Sequence, residues 1–183
     1  LAAGALALVN RAGRTLSGSL GGGLLAVLGL AASTTFWAQA TTANVRMPTA
    51  FALTLALAGL TALWLTPERR GALATTGFGL GLMTSHHPST IFLAAVLGLA
   101  ALWATWRGNG RGSRLAWLIL PAALPFVAWL YFPLNANGVG APANLATLDG
   151  FLQHITARGF GGDMLGFANA RELPERWPVL LQL

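Results

Sequence analysis

Three small groups of polar residues stand out in a chain given over mostly to Ala, Gly and Leu. His86 and His87 are adjacent within Thr84-Ser85-His86-His87-Pro88. Imidazoles at the mouth of a cavity can bind an anionic headgroup or a substrate hydroxyl. A shared metal ion suits the pair poorly, because neighbouring helical residues point about 100° apart and no acid is near. Read purely as structure, the pair caps two helix ends. Gln39, Asn44 and Arg46 form the second group, in which Arg46 could pair with a phosphate. With Phe36 and Trp37 beside them, the same residues also read as an aromatic anchor and a turn. The third group is His154 and Arg158, four apart on one face of a helix. Arg158 there could face a phosphate or pyrophosphate at a membrane surface, or the two could simply form a solvated polar face.

The elements that must position these residues follow from composition. Of 183 residues, 55% are hydrophobic and 9% charged, against about 25% charged in an ordinary soluble domain. All the basic residues are Arg, and with the wealth of Ala, Gly and Leu this reflects a GC-rich coding bias. The net charge of +6 is spread between apolar runs. Nucleic-acid binding needs a basic patch or stripe, so no nucleic-acid partner is expected. Cysteine is absent, which excludes a disulfide framework and thiolate metal sites, and no metal site is expected.

A bilayer core takes about 20 apolar residues in helical form. Spans are expected at about 1–9 (the tail of one), 16–37, 47–65, 71–84 (short), 89–106 and 115–132. Residues 133–176 form an expected extracytoplasmic segment, and 177–183 the start of a further span. Both ends lie in apolar runs, so an internal piece of a longer protein is expected. The short run 71–84 is a span or a re-entrant arm that places the His pair below the membrane surface. A loop at that depth must line a cavity or be covered by protein. Pro121 and Pro125 are expected to kink the last span. Thr147 is expected to cap a helix carrying Leu148, Phe151, Leu152 and Ile155. The glycines at 21, 22 and 23 and at 77, 79 and 81 lie inside apolar runs, where they serve close helix packing rather than phosphate binding.

Direction comes from the arginines. Arg11/Arg14, Arg69/Arg70 and Arg107/Arg111/Arg114 occupy every second loop, and the intervening loops carry only Arg46. By the positive-inside rule the Arg-rich loops are cytoplasmic, and the His pair and residues 133–176 are extracytoplasmic. A bacterial inner (plasma) membrane is the expected location. The spans hold no Asp or Glu, which weighs against a proton-coupled transporter.

The order of short motifs resembles a known family. Phe36-Trp37-Ala38-Gln39-Ala40 with Ala43-Asn44-Val45 is similar to an FW-x-QA…AEVY signature. Gly79-Leu80-Gly81-Leu82 leading to His86-His87 resembles GLGLSNHH, and Tyr131-Phe132-Pro133-Leu134 resembles YLPL. Thr147-Leu148-x-Gly150-Phe151-Leu152-x-His154-Ile155-Thr156-x-Arg158 resembles TLxGFLxHVTxR. Together they resemble the membrane glycosyltransferase family of the transmembrane protein 260 type, protein O-mannosyltransferase-like, long filed as a domain of unknown function and belonging to the GT-C superfamily.

The resemblance implies an all-α fold: a polytopic transmembrane helix bundle, GT-C-like, with a small extracytoplasmic helical segment. It implies transfer of a sugar from a polyprenyl-phosphate donor to a protein or glycan acceptor outside the cytoplasm. The catalytic acid of such enzymes is expected upstream of residue 1. His86, His87, Arg46, Gln39, Asn44, His154 and Arg158 are then the candidates for binding substrate and lipid phosphate. No cofactor is expected in this stretch, and the partners are membrane lipid, the lipid-linked donor and further subunits of a membrane complex. The chain departs from the pattern where Asn44 replaces Glu, Arg46 replaces Tyr and Pro142-Ala143-Asn144 replaces WGD. Those positions therefore offer no acid. The alternative expectations are a non-enzymatic membrane subunit or scaffold and, behind it, a transporter.

Overall fold

The computed structural model describes residues 1–42, 46–108, 110–142, 144–156 and 158. Every regular element among them is helical. In chain order these are α1 (Ala2–Ser17), α2 (Leu20–Ala31), α3 (Thr34–Ala40), α4 (Arg46–Leu65), α5 (Arg70–His86), a 3-10 turn (Pro88–Thr90), α6 (Ile91–Trp106), α7 (Arg111–Ala123), a 3-10 stretch (Leu124–Leu130), α8 (Tyr131–Leu134) and α9 (Leu148–Ile155). The chain divides into two compact units, Leu1–Ala128 and Trp129–Leu183.

Two helical stretches are long and apolar enough to cross a membrane, Arg46–Leu65 and Gly112–Leu134. A third is added if α2 and α3, which meet at 72°, count as one broken span. Helix α6 is equally apolar but has 16 residues, about 24 Å at the helical rise. Leu24, Leu25 and Leu28 on α2, Phe92, Val96 and Leu99 on α6, and Ile119 and Leu120 on α7 are exposed. Contiguous apolar surface of that kind on helices suits lipid rather than water. The chain is a membrane protein on these grounds.

Four local details differ from the sequence expectation. Residues 16–37 do not form one straight helix. Ser33 adopts an extended backbone and its hydroxyl accepts the Phe36 N–H, capping a new helix, while the Trp37 indole N–H donates to the Ala31 carbonyl across the corner. Arg11 and Arg14 do not lie in a loop but in the last turns of α1. That helix continues until Gly18, whose φ of 66° closes it in the left-handed conformation with its N–H donating to Arg14 O. Arg114 likewise sits in the first turns of α7 rather than in a loop, and its residue is only 4% exposed. Finally, α5 runs through to His86, so the polar residues 84–86 lie on helix. The prolines act near where they were expected to, since helical bonding loosens to 3-10 over Leu124–Leu130 after Pro121 and Pro125. Each proline removes one donor from the ladder.

The first unit is built on glycine and alanine. A Cβ on Gly77 or Gly81 would fall on the backbone carbonyls of Leu118 and Ala122, so this face of α5 sits directly against α7. One on Gly79 would come 2.5 Å from Ala56 N, and one on Gly59 2.6 Å from Thr76 N, so the other face sits against α4. Small residues at such contacts let backbones approach and dispersion accumulate where no water drives packing. Two apolar clusters fill the interior. Ala62, Leu63, Leu73, Ala104 and Leu118 lie towards the turn between α4 and α5, and Ala52, Ala56, Met83 and Ala94 towards the other end.

In the second unit, α9 is capped as its sequence foretells, with the Thr147 hydroxyl accepting the Gly150 N–H at 3.1 Å. Asn144 before it has φ 66°, a conformation Asn tolerates better than most residues. The expected further span at 177–183 lies outside the described residues.

Candidate functional site

Helices α4 and α5 form an antiparallel hairpin, so Arg46 at the start of α4 and His86 at the end of α5 share one end. Register supports this, since Gly59 lies against Thr76 and Gly79 against Ala56. Gln39 is half-buried in the last turn of α3, a helix that packs against both α2 and α4. Gln39, Arg46 and His86 are each engaged with a partner. Asn44 lies outside the described residues.

His87 is held most tightly of the group. Its backbone N–H donates to Met83 O at 3.2 Å and so ends α5. Its carbonyl accepts the Thr90 N–H at 3.1 Å. The Thr90 hydroxyl reaches both Met83 O and His87 O at 2.8 Å. The ring Nδ1 accepts the Ser89 N–H at 3.3 Å and lies 2.7 Å from Ser89 Oγ. An imidazole whose Nδ1 accepts carries its hydrogen on Nε2. The turn therefore does what the structural reading asks, joining α5 to α6, and it also presents an oriented N–H donor. Met83, to which the turn is tied, is fully buried in the apolar cluster.

An open cavity of about 260 Å³ lies between α5, α6 and α7 with the stretch that follows it, lined by Leu80, Thr84, Ile91, Ala94, Ala122 and Phe126 and by none of the site histidines. Thr84 and Leu80 lie about one and two helical turns before His87. The lining is almost wholly apolar, because the Thr84 hydroxyl is spent on the carbonyls of Leu80 and Gly81. An apolar slot of this kind suits a hydrocarbon chain.

The second unit carries its own cavity, about 400 Å³ in volume, lined among others by Tyr131, Phe132, Asn135, Leu145 and His154. The His154 ring meets Phe132 edge to face at 4.6 Å. Asn135 donates its amide to Tyr131 O at 2.9 Å. Aromatic edges beside imidazole and amide groups offer both stacking and hydrogen bonding. Arg158 pairs with Asp149 at 3.8 Å, both largely exposed, and Gln153 donates to the other Asp149 oxygen at 2.6 Å. Helix α9 ends at Ile155, so Arg158 lies beyond it and does not share a helical face with His154 as the four-residue spacing suggested; Arg158 already has a counter-charge.

Sequence reasoning passed over three features. Asp149 is the first. Its signal was available, since it lies four residues before Gln153 in the first turn of an expected helix. Ser89 and Thr90 are the second; Ser89 bonds the His87 ring Nδ1 and Thr90 the His87 carbonyl, and no spacing rule flags them. The third lies at the opposite end of the hairpin. Buried Arg114 pairs with Glu68 at 3.1 Å and donates to Ala104 O at 3.3 Å, and Arg107 stands 5.0 Å over the Trp64 ring. Gly108 makes room for this cluster, because a Cβ there would fall on the Arg114 guanidinium. Among the described residues no three His, Asp or Glu gather closely enough to hold a metal ion. Compared with family models, curated proteins and solved structures, the chain matches none of them.

Proposed function

We propose that this chain is part of a multi-pass membrane glycosyltransferase of GT-C type that moves a sugar from a polyprenyl-phosphate donor to an extracytoplasmic acceptor. The observation that carries the reading is the His87 turn, held by Ser89 and Thr90 at the end of α5, with an apolar slot that reaches Thr84, about one helical turn before His87. The Nε2–H, oriented by Ser89, donates to the donor's phosphate, and the slot between α5 and α6 receives the first isoprene units. Cleaving the sugar–phosphate bond builds charge on the departing phosphate, and fixed donors aimed at it lower the barrier. His86 and Arg46, at the same end of the hairpin, add to that field. The motif order beginning at Phe36 and ending at Arg158 supports the same assignment. A carboxylate must also take the acceptor's proton. Glu68 and Asp149 are both ion-paired, so that role falls to an acid outside the described residues.

The test uses the full-length protein in nanodiscs, with a photoreactive polyprenyl phosphate as binding probe and radiolabelled sugar transfer as readout. His87→Ala should weaken labelling about tenfold, the value of one charge-assisted hydrogen bond. His86→Ala and Arg158→Ala should each lower transfer while the protein stays folded; unchanged transfer in both removes these residues from the site. The layout has its own test. Cysteines at Gly112, where a side chain meets open space, and at Asn137 should be labelled from opposite sides of the membrane, and labelling from one side overturns the arrangement.

One observation favours a second reading, a non-enzymatic subunit or scaffold: Asn44 and Asn144 stand where the resemblance calls for acids. That reading requires stable co-purification with another membrane protein and no labelling by polyprenyl phosphate.

A further inference from the structure

A further cavity of the first unit lies between α1 and α2. It measures about 490 Å³ and is lined by Asn10, Arg11 and Arg14 of α1 and by Gly18, Ser19 and Leu20 at the start of α2. Its two charged side chains are both guanidinium groups. Arg11 and Arg14, three apart, lie on one side of α1 near its end. Across from them α2 begins with Ser19, whose hydroxyl accepts the Gly22 N–H at 3.0 Å. The N–H groups of Leu20 and Gly21 have no partner within the helix. The Asn10 amide oxygen is buried without a hydrogen-bond partner, and it lies where a Cβ on Gly23 would be.

No acid answers this concentration of positive charge. The described residues contain two carboxylates, Glu68 and Asp149, and each is already paired, with Arg114 and Arg158 respectively. Arg11 and Arg14 form no ion pair among the described residues. The walls are also fixed in place. A Cβ on Gly22 would fall on Ser17, and one on Gly23 would fall on the Arg14 stem, so glycine alone lets α2 start this close to α1. A site made of two guanidinium groups and a helix N-terminus suits a tetrahedral oxyanion.

We infer that this cavity binds the phosphate of an anionic phospholipid headgroup. The neighbouring faces of α2 carry exposed Leu24, Leu25 and Leu28, which continue the pocket into the acyl-chain region. The inference is independent of sugar transfer, and it concerns a different part of the unit from the His turn. The shared chemistry is phosphate, which a soluble phosphate could also supply.

The full-length protein in nanodiscs of phosphatidylcholine with a minor share of phosphatidylglycerol distinguishes the sources. Native mass spectrometry then counts the phosphatidylglycerol retained on release, with and without inorganic phosphate. The wild type should retain phosphatidylglycerol in preference to phosphatidylcholine, and Arg11→Gln/Arg14→Gln should lower that preference about tenfold or more. Ala7→Phe, which fills the cavity wall without changing charge, should lower it too and covers the case in which the double variant fails to fold. Retention that inorganic phosphate does not displace identifies a lipid headgroup. Displacement by inorganic phosphate keeps the anion site but assigns it to a soluble phosphate. Equal retention by the wild type and by both cavity variants overturns the inference. So does an equal loss in Arg69→Gln/Arg70→Gln, because surface charge anywhere would then suffice.

Discussion

The two ends of the α4–α5 hairpin solve the same problem by different chemistry. At the turn end the polar groups are charged: Arg114 is buried, pairs with Glu68 and donates from Nη2 to Ala104 O while its Nε and Nη1 make no hydrogen bond, and Arg107 stacks on Trp64. At the His end Arg46 and His86 are engaged with partners, and His87 is only partly used. His87 spends its backbone and its Nδ1 on the turn and keeps Nε2 in reserve. A buried guanidinium must find partners, because leaving it bare costs several kcal/mol. An imidazole that is only half-buried carries less of that obligation. The difference teaches that the arginine-rich end holds helices together from the interior, whereas His87 at the other end can still offer its ring to a ligand.

The sharpest way to break this comparison is to separate the helices that both ends depend on. Gly77→Ala with Gly81→Ala drives two Cβ atoms onto backbone carbonyls of α7, which cannot rotate away as a side chain can. Overpacking of this kind costs about 1–3 kcal/mol per site. We expect the double variant to lose the most stability of any described here, read as a fall in unfolding temperature in detergent. It should also raise labelling of both ends by a water-soluble probe. A loss confined to one end would mean that α7 supports the ends separately.

Next in size is Arg114→Ala. It removes a buried cation, its bond to Ala104 O and its pair with Glu68. We expect about 2 kcal/mol of destabilisation, less than a wholly buried pair would give because Glu68 is mostly exposed. Glu68→Gln should cost less than half of that. Equal costs for the two would show that the pair, rather than the burial of Arg114, holds this end. Binding of polyprenyl phosphate to the surviving folded fraction should stay at the wild-type level.

At the His end the discriminating change is Ser89→Ala. The hydroxyl 2.7 Å from Nδ1 disappears, while the Ser89 N–H remains. Stability should move by about 0.5 kcal/mol or less, as for an exposed hydrogen bond. Polyprenyl-phosphate labelling should fall about threefold, because the ring is less well oriented. If stability falls while labelling holds, His87 is a structural cap and nothing more.

What the sequence disclosed about these ends is uneven, for physical reasons. The apolar runs and the glycines at 77, 79 and 81 announced helices packed closely in a membrane setting, because composition and period act locally. Thr147 announced α9 in the same way. The bend at Ser33 did not show, since a capping serine inside an apolar run looks like any other small polar residue. The burial of Arg114 was invisible too. An arginine after three glycines in five residues reads as loop, and only the approach of α6 and the Leu65–Arg70 turn makes it interior. At the candidate site the histidines could be found by type, whereas the residue that orients His87 could not, because Ser89 matters only through the turn geometry. Asp149 was legible and was passed over, and it decides that Arg158 is paired.

The smallest effect closes the comparison from the turn end. Arg107→Gln removes the cation over Trp64 at 5.0 Å, and both residues are exposed. A cation–π contact in that setting is worth about 0.5–1 kcal/mol, and salt screens exposed charge within about 10 Å at 0.1 M. Arg107→Gln should therefore lower the unfolding temperature slightly at low salt and hardly at all at high salt. Arg114→Ala should cost nearly the same at both ionic strengths, since Arg114 is shielded from solvent. If salt erases the Arg114 effect as well, the turn end is a surface charge network, and its contrast with the His end disappears.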